Sequence, residues 1–430
     1  MQRTHYVKDA ISAIGKTVTV AGWAHEVRDI GKVRFIQLRD KTGIVQVFAK
    51  KDDTPPFVFE AMVQPKETVL AITGIVKESK IAKSGIEIIP AEIKVLGSLS
   101  AKVPFELTGK VPAELDVRLD HRYVDLRREE IYSIFRIKSV AANAFRQSLI
   151  SQGFEEIHPT SLVAAATEGG AELFEVKYFE KQAYLAQSPQ LYKQLAVVGG
   201  MDKVFMTSPV FRAEKHNTLT HLNEVVQMDA EMGFCSDEDA LLVLEKTFLD
   251  ILGEVSKNCK HELEVVGSKL VVPKKIVRHS YSELVTTLND AGVKMKWGED
   301  FDREKEAKLQ EILGEEAYFI TRWPTAIRAF YSMPLDEDPK ICRAYDLVYR
   351  GLEISSGAQR IHIPEMLIKQ LEARGENSDN FKFYIDAFRV GAPPHAGWSI
   401  GIERLVMKMC NLSNIREAAL FPRDRHRLTP

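Results

Sequence analysis

The sequence predicts an α+β protein with two folded parts: a small β-barrel, then a larger domain built on an antiparallel sheet flanked by helices. Short strand-like runs separated by turn residues fill the first hundred residues. Prolines, glycines and crowded charges interrupt the pattern over residues 101–130. Helical spacing and paired strand runs follow from residue 131 onward. We therefore expect a barrel domain at 1–100, a hinge or linker at 101–130 and a larger domain, long enough to hold a catalytic site, at 131–430.

Composition limits the class of protein. The 430 residues are 45% hydrophobic and carry a net charge of −2, which is ordinary for a soluble globular protein of two or three domains. Nucleic acid would have to be bound by local basic patches, because the chain has no global positive field. The four cysteines form no CxxC pair, which disfavours a structural zinc site and suits a reducing compartment. With no signal core and no apolar run of about 20 residues, we expect a cytoplasmic protein that does not contact membranes.

The barrel prediction depends on five strand-like runs and one helix. The runs are TVTVAGW, VRFIQLRD, GIVQVFAK, ETVLAITGIV and SGIEIIPAEIKVL, with the helical stretch PFVFEAMVQ after the third. This is the layout of an OB-fold, which often binds oligonucleotides on its open face. Phe35 is suited to stacking on a base, and Arg28 and Gln46 to bonding base edges. The alternative for Phe35 is an ordinary place in the barrel core.

A long helix opens the second part. In IYSIFRIKSVAANAFRQSLISQG the apolar residues have helical spacing, which only Lys138 interrupts, and Gly153 is placed to end the helix. The next run, FEEIHPTSL, contains Pro159, which predicts an edge strand. A long helix beside an edge strand is a reasonable dimerisation surface.

The stretch FRAEKHNTLTHLNEVVQMDAEMGF indicates a strand, a polar loop and a returning strand. If the first strand includes them, Arg212 and Glu214 share one face, where they are suited to a phosphate and a base amine. Gln227, Asp229 and Glu231 share one face of the returning strand. The alternative is a sheet face with surface ion pairs.

Two loops add polar groups to this region. The run ATEGGAELFEV places Glu168 beside two glycines, where it could bind an amine. The run LAQSPQLYKQLAVVGG predicts a helix that starts near Ser188-Pro189 and bears Lys193.

Two later segments supply carboxylates and arginines. The run CRAYDLVYRGLEISSGAQRIH predicts a hairpin that turns at Arg350-Gly351 and sets Asp346 opposite Glu353, so that the two share a proton or a cation. The run GAPPHAGWSIGIERLVMKM predicts a strand that enters a helix near Glu403-Arg404.

The motifs of common catalytic sites are missing from the sequence. There is no GxxxxGK[ST] loop, no GxGxxG unit after a strand and no convincing Ser-His-Asp or Cys-His set. A site made of arginines, a lysine and carboxylates, without a protein nucleophile, suits a reaction that needs orientation and charge neutralisation. Transfer to phosphorus is a reaction of this kind.

Together these motifs resemble those of class II aminoacyl-tRNA synthetases. The segment of helix, strand and Pro159, the FRAE run with its following loop and the IGIER strand–helix resemble the three signatures of the class, and an N-terminal OB barrel is typical of the aspartate, asparagine and lysine subgroup. The runs ATEGGAELF, QSPQLYKQ, HLNE, EISSGAQR and LFPRD resemble the archaeal and eukaryotic type of aspartyl-tRNA synthetase. The resemblance covers the chain except for residues 258–338, which lack distinctive residues.

The resemblance implies ATP, L-aspartate and tRNA(Asp) as partners, Mg²⁺ as cofactor and a homodimer. It implies catalytic roles for Arg212 and Arg404, and it groups the other site residues by ligand. The ATP group is Arg212, Glu214, His221, Glu353, Gly401 and Arg404; the aspartate group is Glu168, Gln190, Lys193, Asp229, Ser356 and Arg360; the metal group is Asp346, Glu353 and Ser356; the anticodon group is His25, Arg28, Phe35 and Gln46.

Three alternatives stay open. An asparaginyl-tRNA synthetase would share the ATP residues, but Lys193 and Arg360 suit a carboxylate, and a neutral amide would leave Lys193 buried without a counter-charge. A non-catalytic RNA-binding relative would not need the intact Arg212, Glu214, Glu353 and Arg404, and a paralogue that makes a free amide would not need the N-terminal barrel. The third concerns tRNA choice: at His25 the family often has tryptophan when restricted to aspartate tRNA. Histidine favours a relaxed enzyme that also charges tRNA(Asn) and implies a partner amidotransferase, because an imidazole can adjust to either base.

Overall fold

The protein was analysed as a computed structural model that describes residues 3–164 and 173–430. The chain divides into two compact units, Met1–Tyr132 and Ser133–Pro430. The segment predicted as a hinge contains two short helices, α2 (Leu115–Asp120) and α3 (Arg122–Asp125), and its role as a hinge stays a prediction. In the described ranges, no helix has the length and apolar character that crossing a membrane requires.

The first unit contains the predicted barrel. Within residues 3–164, five of the strands close on themselves in the order β1-β2-β3-β5-β4. They are β1 (Thr17–Asp29), β2 (Val33–Asp40), β3 (Gly43–Lys50), β4 (Val69–Glu78) and β5 (Ile86–Gly97), with helix α1 (Pro56–Ala61) between β3 and β4. The five strands and the single inserted helix confirm the prediction from the sequence.

The strands alternate between the barrel core and an outer face. The core takes the branched residues of each strand, among them Val18, Val20, Ile36, Leu38, Val45 and Val47. Residues paired across neighbouring strands share a face, so the register places Arg28, Phe35 and Phe48 in one outer row, and Glu26, Gln37 and Gln46 in the next. Phe35 therefore lies outside the core, against Phe48 at 5.2 Å between ring centroids.

The second unit is built on a mostly antiparallel sheet. Helix α4 (Glu129–Ser151) leads into it and ends before Gly153, whose φ of 81° suits a helix terminus. In the described part of the chain the sheet has eight strands in the order β12-β13-β14-β15-β16-β11-β10-β6, and only the outermost pairs, β12 with β13 and β10 with β6, are parallel. The strands are β6 (Glu155–Glu156), β10 (Lys203–Phe211), β11 (Glu224–Gly233), β12 (Val277–Ser280), β13 (Ala317–Pro324), β14 (Ile341–Tyr349), β15 (Glu353–Arg360) and β16 (His395–Gly401). The predicted edge strand, β6, is confirmed and ends before Pro159.

Helices and a small sheet surround this structure. The small sheet pairs β7 (Leu162–Val163), β9 (Lys181–Leu185) and β8 (Glu175–Tyr178). The helices are α5 (Gln190–Ala196), α6 (Asp237–Asn258), α7 (Lys260–Val265), α8 (Tyr281–Asp290), α9 (Arg303–Leu313), α10 (Pro364–Glu372), α11 (Lys382–Arg389) and α12 (Ile402–Met409). Helix α6 starts with a capping box, in which Ser236 and Asp239 satisfy each other's backbone N–H groups. The helix predicted to bear Lys193 is α5.

The register of the β14–β15 hairpin corrects one prediction. The chain turns at Arg350-Gly351 as expected, but Asp346 pairs with Ser356, and Glu353 pairs with Val348. Counting outward from the turn already pairs Glu353 with Val348, and a bulge at Leu347/Val348 then shifts the partner of Asp346 by one residue to Ser356. The prediction that Asp346 and Glu353 face each other is therefore wrong.

Candidate functional site

One row of polar side chains crosses the centre of the large sheet. Asp229 of β11 pairs with Ser399 of β16, Ser399 pairs with Ser356 of β15, and Ser356 pairs with Asp346 of β14. Because directly paired residues point to one side of a sheet, these four side chains share a face. Glu231 and Arg360 lie on the same face farther along their strands, by the two-residue alternation. The shared face predicted for Gln227, Asp229 and Glu231 is confirmed.

Four buried charges form an ion-pair cluster on this face, here called the Lys193 cluster: Lys193, Asp229, Glu231 and Arg360. Lys193 Nζ donates to Asp229 Oδ1 at 2.9 Å and lies 3.4 Å from Glu231 Oε2. Arg360 donates from Nε and Nη2 to the two carboxylate oxygens of Glu231, at 2.9 and 3.2 Å. Lys193 and Glu231 are fully buried, and the two cations balance the two anions. Each charge is therefore compensated within the protein.

This cluster corrects the argument that a neutral substrate would leave Lys193 without a counter-charge. Asp229 and Glu231 already supply that counter-charge. Nothing in the local sequence indicates these contacts, because Lys193 and Asp229 are 36 positions apart. Burial raises the pKa of Asp229, and Lys193 only partly offsets it. Burial also opposes ionisation of Glu231, but Arg360 and Lys193 outweigh it and hold the pKa of Glu231 below its usual value.

A glycine makes room for the cluster. Gly397 of β16 pairs with Glu231, and a Cβ on Gly397 would lie 2.1 Å from Glu231 Oε2 and 2.3 Å from the Ala230 carbonyl oxygen. Any side chain at this position would push the Glu231 carboxylate away from Arg360. A glycine at 397 is therefore a requirement of the ion-pair geometry.

Polar atoms without partners border the cluster. The side-chain Nε2 of Gln190, at the start of α5, and the Oε1 of Gln227 are buried with no hydrogen-bond partner among the described residues. Buried amides are normally paired, so such atoms are suited to a bound ligand. Glu168, the remaining predicted aspartate residue, lies outside the described residues.

A second group of side chains lies around His221. Its Nε2 is 3.1 Å from Arg404 Nη2, and its Nδ1 is 2.7 Å from Thr218 Oγ1. Arginine only donates, so Nε2 accepts and Nδ1 carries the proton. Burial lowers the pKa of His221, Arg404 and Arg212 lower it further, and Glu214 opposes them. The structure thus brings Arg212, Glu214, His221 and Arg404 together.

The backbone around this second group differs from the prediction for Arg212 and Glu214. Strand β10 ends at Phe211, so both residues lie in the following loop and strand alternation does not apply to them. The side chain of Asn223 holds the loop by donating to the carbonyls of Arg212 at 2.8 Å and Glu214 at 3.2 Å.

Helix α12 positions Arg404. The helix begins at Ile402 directly after Gly401, close to the predicted start. Arg404 donates from Nη1 to the Glu353 carbonyl at 3.1 Å, and the Glu353 carboxylate is 3.9 Å away. Buried Glu403, the preceding residue, accepts from Lys138 Nζ at 2.6 Å and from the Val226 N–H at 3.0 Å. These contacts join α4, β11 and α12, and they explain why Lys138 interrupts the apolar face of α4.

The predicted metal residues meet a cation of the protein itself. Arg328 donates to both oxygens of Asp346, at 2.9 and 2.6 Å, and to Ser356 Oγ at 2.6 Å. Burial, and secondarily Glu353, raise the pKa of Asp346 to about 6, against the effect of Arg328. Two carboxylates and a hydroxyl are oxygen donors of the kind that Mg²⁺ prefers, so the predicted set fits the ion in chemistry. Across the described ranges, however, no three acidic, histidine or cysteine side chains cluster as a metal site.

Glu306 of α9 is a further carboxyl group near this site. Burial raises its pKa to about 7, and Glu353 adds to the effect while Arg404 opposes it. Sequence reasoning missed Glu306 and Arg328 because both lie in the stretch without recognisable motifs. It noted Glu231 and Glu403 without giving them a role, although each is a charged residue beside an assigned one.

The outer face of the barrel holds the predicted nucleic-acid residues. Arg28 and Phe35 are paired across β1 and β2, and Gln46 lies in the adjacent row, where its Nε2 is 3.3 Å from Glu87 Oε2. Arg28 forms an ion pair with Glu26 at 3.1 Å. His25 lies at a bulge in β1, and its Nδ1 is 2.6 Å from Arg39 Nη1. The structure therefore brings Arg28, Phe35 and Gln46 onto one face, with His25 at the bulge beside them.

Comparison with known proteins places this geometry in a family. Residues 114–425 match the family model of class II tRNA synthetases (D, K and N), and residues 18–96 match that of the OB-fold nucleic acid binding domain. The chain is 45% identical to the aspartate–tRNA(Asp/Asn) ligase of Methanocaldococcus jannaschii, with all of this chain and 98% of that protein covered. It is 46% identical to the aspartate–tRNA(Asp) ligase of Pyrococcus abyssi, with both chains fully covered.

Solved structures agree with this placement. The asparaginyl-tRNA synthetase of Pyrococcus horikoshii, complexed with asparaginyl-adenylate, superposes with a TM-score of 0.95 at 32% identity, with both chains fully covered. The aspartyl-tRNA synthetase of Entamoeba histolytica superposes with a TM-score of 0.88 at 33% identity, covering all of this chain and 93% of that one. Matches of this extent assign the family: the chain belongs to the class II tRNA synthetases of the aspartate, lysine and asparagine group.

Proposed function

We propose that the protein is an aspartate–tRNA ligase, which activates L-aspartate with ATP and transfers it to the 3′ end of tRNA(Asp). The observation that carries the proposal is that the second unit holds both the Lys193 cluster and two arginines beside His221, Arg212 and Arg404. The whole-length similarity to aspartate–tRNA ligases supports the same activity.

Two reactions follow one another in this activity. An oxygen of the aspartate α-carboxylate attacks the α-phosphorus of ATP, and the bond to pyrophosphate breaks, which yields aspartyl-adenylate. A ribose hydroxyl of tRNA then attacks the aspartyl carbonyl carbon, and AMP leaves. Both partners of the first step are anionic, so positive charge must offset their repulsion before an in-line geometry forms. We assign this role to Arg212 and Arg404.

The Lys193 cluster suits the two ends of aspartate. A buried cation and anion 2.9 Å apart match a ligand that carries both an ammonium and a carboxylate. In this assignment Asp229 binds the α-ammonium, and Lys193 and Arg360 bind the side-chain carboxylate. Gln190, Ser356 and Glu168 complete the aspartate group; the unpaired amide of Gln190 supports its inclusion.

The group around His221 suits ATP. Arg212 would bind the α-phosphate, Glu214 the adenine amine and His221 the outer phosphates. Arg404 would cover the adenine and contact the γ-phosphate. Gly401 lies directly before α12 and belongs to the same group, and the contact of Arg404 with Glu353 supports a common site.

Mg²⁺ is the cofactor that the family implies. Glu353, Asp346 and Ser356 would hold it, and the bound ion would neutralise phosphate charge. Arg328 would stay paired with Asp346, and its positive charge favours the ionised form of this buried carboxylate.

The barrel face suits the anticodon. Phe35 would stack on a base, and Arg28, Gln46 and His25 would bond base edges. We favour the relaxed form of the enzyme, which charges both tRNA(Asp) and tRNA(Asn) and requires an amidotransferase to convert the second product. Relatives with similar identity to this chain carry both kinds of name, so the discriminating form is the second candidate.

We also propose a homodimer located in the cytoplasm. A groove of about 1010 Å³ runs between α4 and α6, bordered by Arg136, Asn143, Gln147 and Asp250. The groove and the edge strand β6 support a surface that a second copy could cover. Light scattering after size-exclusion chromatography measures the mass directly, and a monomeric mass would refute the dimer.

The deciding experiment combines two assays. ATP–pyrophosphate exchange is measured with L-aspartate and with L-asparagine, and exchange only with aspartate is expected. Aspartylation is then measured with purified tRNA(Asp) and tRNA(Asn) side by side. Exchange with asparagine alone would refute aspartate activation, and charging of tRNA(Asp) alone would support the discriminating form.

A further inference from the structure

The bulge at His25 is built into a buried ion-pair network of the barrel. Ala24 pairs with Leu38 and Glu26 pairs with Gln37, so His25 is the extra residue between them. Bulges re-aim a side chain and are enriched next to functional sites. The residue before the bulge, Ala24, accepts from the Glu67 N–H at 2.8 Å and donates to the Thr68 carbonyl at 2.9 Å. The two residues just before β4, Glu67 and Thr68, therefore hold the bulge in place through backbone hydrogen bonds.

Arg39 connects this bulge to a buried carboxylate. Its Nη2 donates to both oxygens of Glu67, at 3.0 and 2.7 Å, and its Nη1 lies 2.6 Å from His25 Nδ1. Arg127 also donates to Glu67, at 3.0 Å, and its guanidinium lies 5.1 Å from the ring centroid of Trp23. Arg39 and Glu67 are only 7% and 5% exposed, so their geometry is held by the fold.

The chemistry of arginine determines the state of the imidazole. A guanidinium has only donors, so His25 Nδ1 must be the acceptor of this bond. An accepting Nδ1 carries no proton, and the neutral ring therefore bears its proton on Nε2. Glu67 Oε1 is 3.9 Å from Nδ1, too far to accept a hydrogen bond from it. The imidazole is fixed as a donor at Nε2, and it cannot alternate between donor and acceptor as the sequence argument assumed.

We propose that Arg39 is a positioning residue for tRNA choice: it fixes His25 as a pure donor, and this removes the hydrogen bond by which an accepting ring would favour cytosine at the last anticodon base. That base is cytosine in tRNA(Asp) and uracil in tRNA(Asn). Cytosine has an amino donor where uracil has a carbonyl acceptor, while both have the O2 acceptor. A ring that only donates cannot accept from the cytosine amino group, so it cannot favour cytosine in this way. The inference depends on the proposed charging of tRNA.

The test compares two variants that both lack the Glu67 carboxylate and differ in whether Arg39 is present. In Glu67→Gln the Arg39–His25 bond remains, whereas the double variant Arg39→Met, Glu67→Gln removes it together with the charge of both partners. The substrates are two transcripts of tRNA(Asp) that differ only in the last anticodon base, cytosine or uracil. We expect wild type and Glu67→Gln to use both, and the double variant to gain at least about a fivefold preference for cytosine in kcat/KM, as one added hydrogen bond would give.

A spectroscopic readout separates this role from a structural one. In protein labelled with [15N]histidine, the His25 signals are assigned by their loss in His25→Gln. We expect an unprotonated Nδ1 and a protonated Nε2 in wild type and Glu67→Gln, and averaged tautomers in the double variant. A protonated Nδ1 in wild type would overturn the proposal, as would an unchanged base preference in a double variant whose tautomers average.

Failure of the proposed function gives a different result. If wild type charges only the cytosine transcript while Nδ1 is unprotonated, the donor state stands but its link to relaxed tRNA choice is refuted. Aspartate-dependent pyrophosphate exchange monitors the catalytic unit and should be unchanged in all variants. Thermal unfolding of each variant identifies any that fails to fold.

Discussion

Lys193 Nζ lies 2.9 Å from Asp229 Oδ1, and both side chains are buried at the centre of the large sheet. Removing one partner of a buried ion pair leaves an uncompensated charge, which costs about 3–5 kcal/mol. Lys193→Met should therefore lower the free energy of unfolding by about this amount and reduce aspartate-dependent pyrophosphate exchange at least about 100-fold.

A double variant separates stability from function. Lys193→Met combined with Asp229→Asn removes both charges and should recover much of the lost stability without recovering exchange. Lys382→Met, at an exposed pair with Asp386 on α11, serves as the control and should change neither quantity. Normal exchange by the double variant would contradict the assignment of Lys193 to the substrate.

Gly397→Ala should disrupt the same site by contact alone. The added methyl group would lie 2.1 Å from Glu231 Oε2, so the carboxylate must leave Arg360 or the strand must move. Overpacking of this kind costs about 1–3 kcal/mol, and loss of the ion pair should abolish exchange. The matched control is Gly97→Ala in the barrel, where the new Cβ would meet Val69 at ordinary distances of 3.5 and 3.6 Å. Equal Tm and exchange in both variants would argue against the tight contact.

Phe35→Ala tests the barrel face. Loss of base stacking should weaken tRNA aspartylation by about 1–3 kcal/mol, measured as kcat/KM with tRNA(Asp). Exchange should persist, because the adenylate reaction does not involve this unit. Phe57, 71% exposed on α1, provides the control substitution Phe57→Ala, which should leave both assays unchanged. A Phe35→Ala protein with full aspartylation would remove Phe35 from the anticodon group.

The sequence was informative where the signal is local and weak where it is tertiary. Strand alternation predicted the barrel and the common face of Asp229 and Glu231, because a period of two can be read from the residues themselves. It did not predict the bulges at His25 and at Leu347/Val348, which shift register without a distinctive residue. Each missed bond is long-range: Arg328 with Asp346 and Arg39 with Glu67 join separate strands and loops.

The same reason explains the two corrected arguments. The sequence suggests that Lys193 would lack a counter-charge beside a neutral substrate and that His25 can exchange its donor and acceptor roles. It does not show the partners that these two side chains contact in the fold. Ion pairs between distant segments depend on the packed fold, and no spacing rule reveals them. The identity of the charged residues could be read from the sequence, whereas their pairing could not.

Glu306 should make stability fall as pH rises through the neutral range. Its pKa is raised from 4.5 to about 7 in the folded chain, mainly by burial, so the native state holds this proton longer than the unfolded chain does. The favourable contribution of the neutral carboxyl is complete below pH 4.5 and is lost progressively as pH rises toward 7. Glu306→Gln stays neutral throughout, so its Tm should gain on wild type across this window, by the equivalent of about 1–2 kcal/mol given partial solvent access. Glu304→Gln, at an exposed position of the same helix, should show no such gain. Calorimetric Tm values at pH 5 and 8 measure the difference, and a constant offset between wild type and Glu306→Gln would show that Glu306 does not titrate in this range.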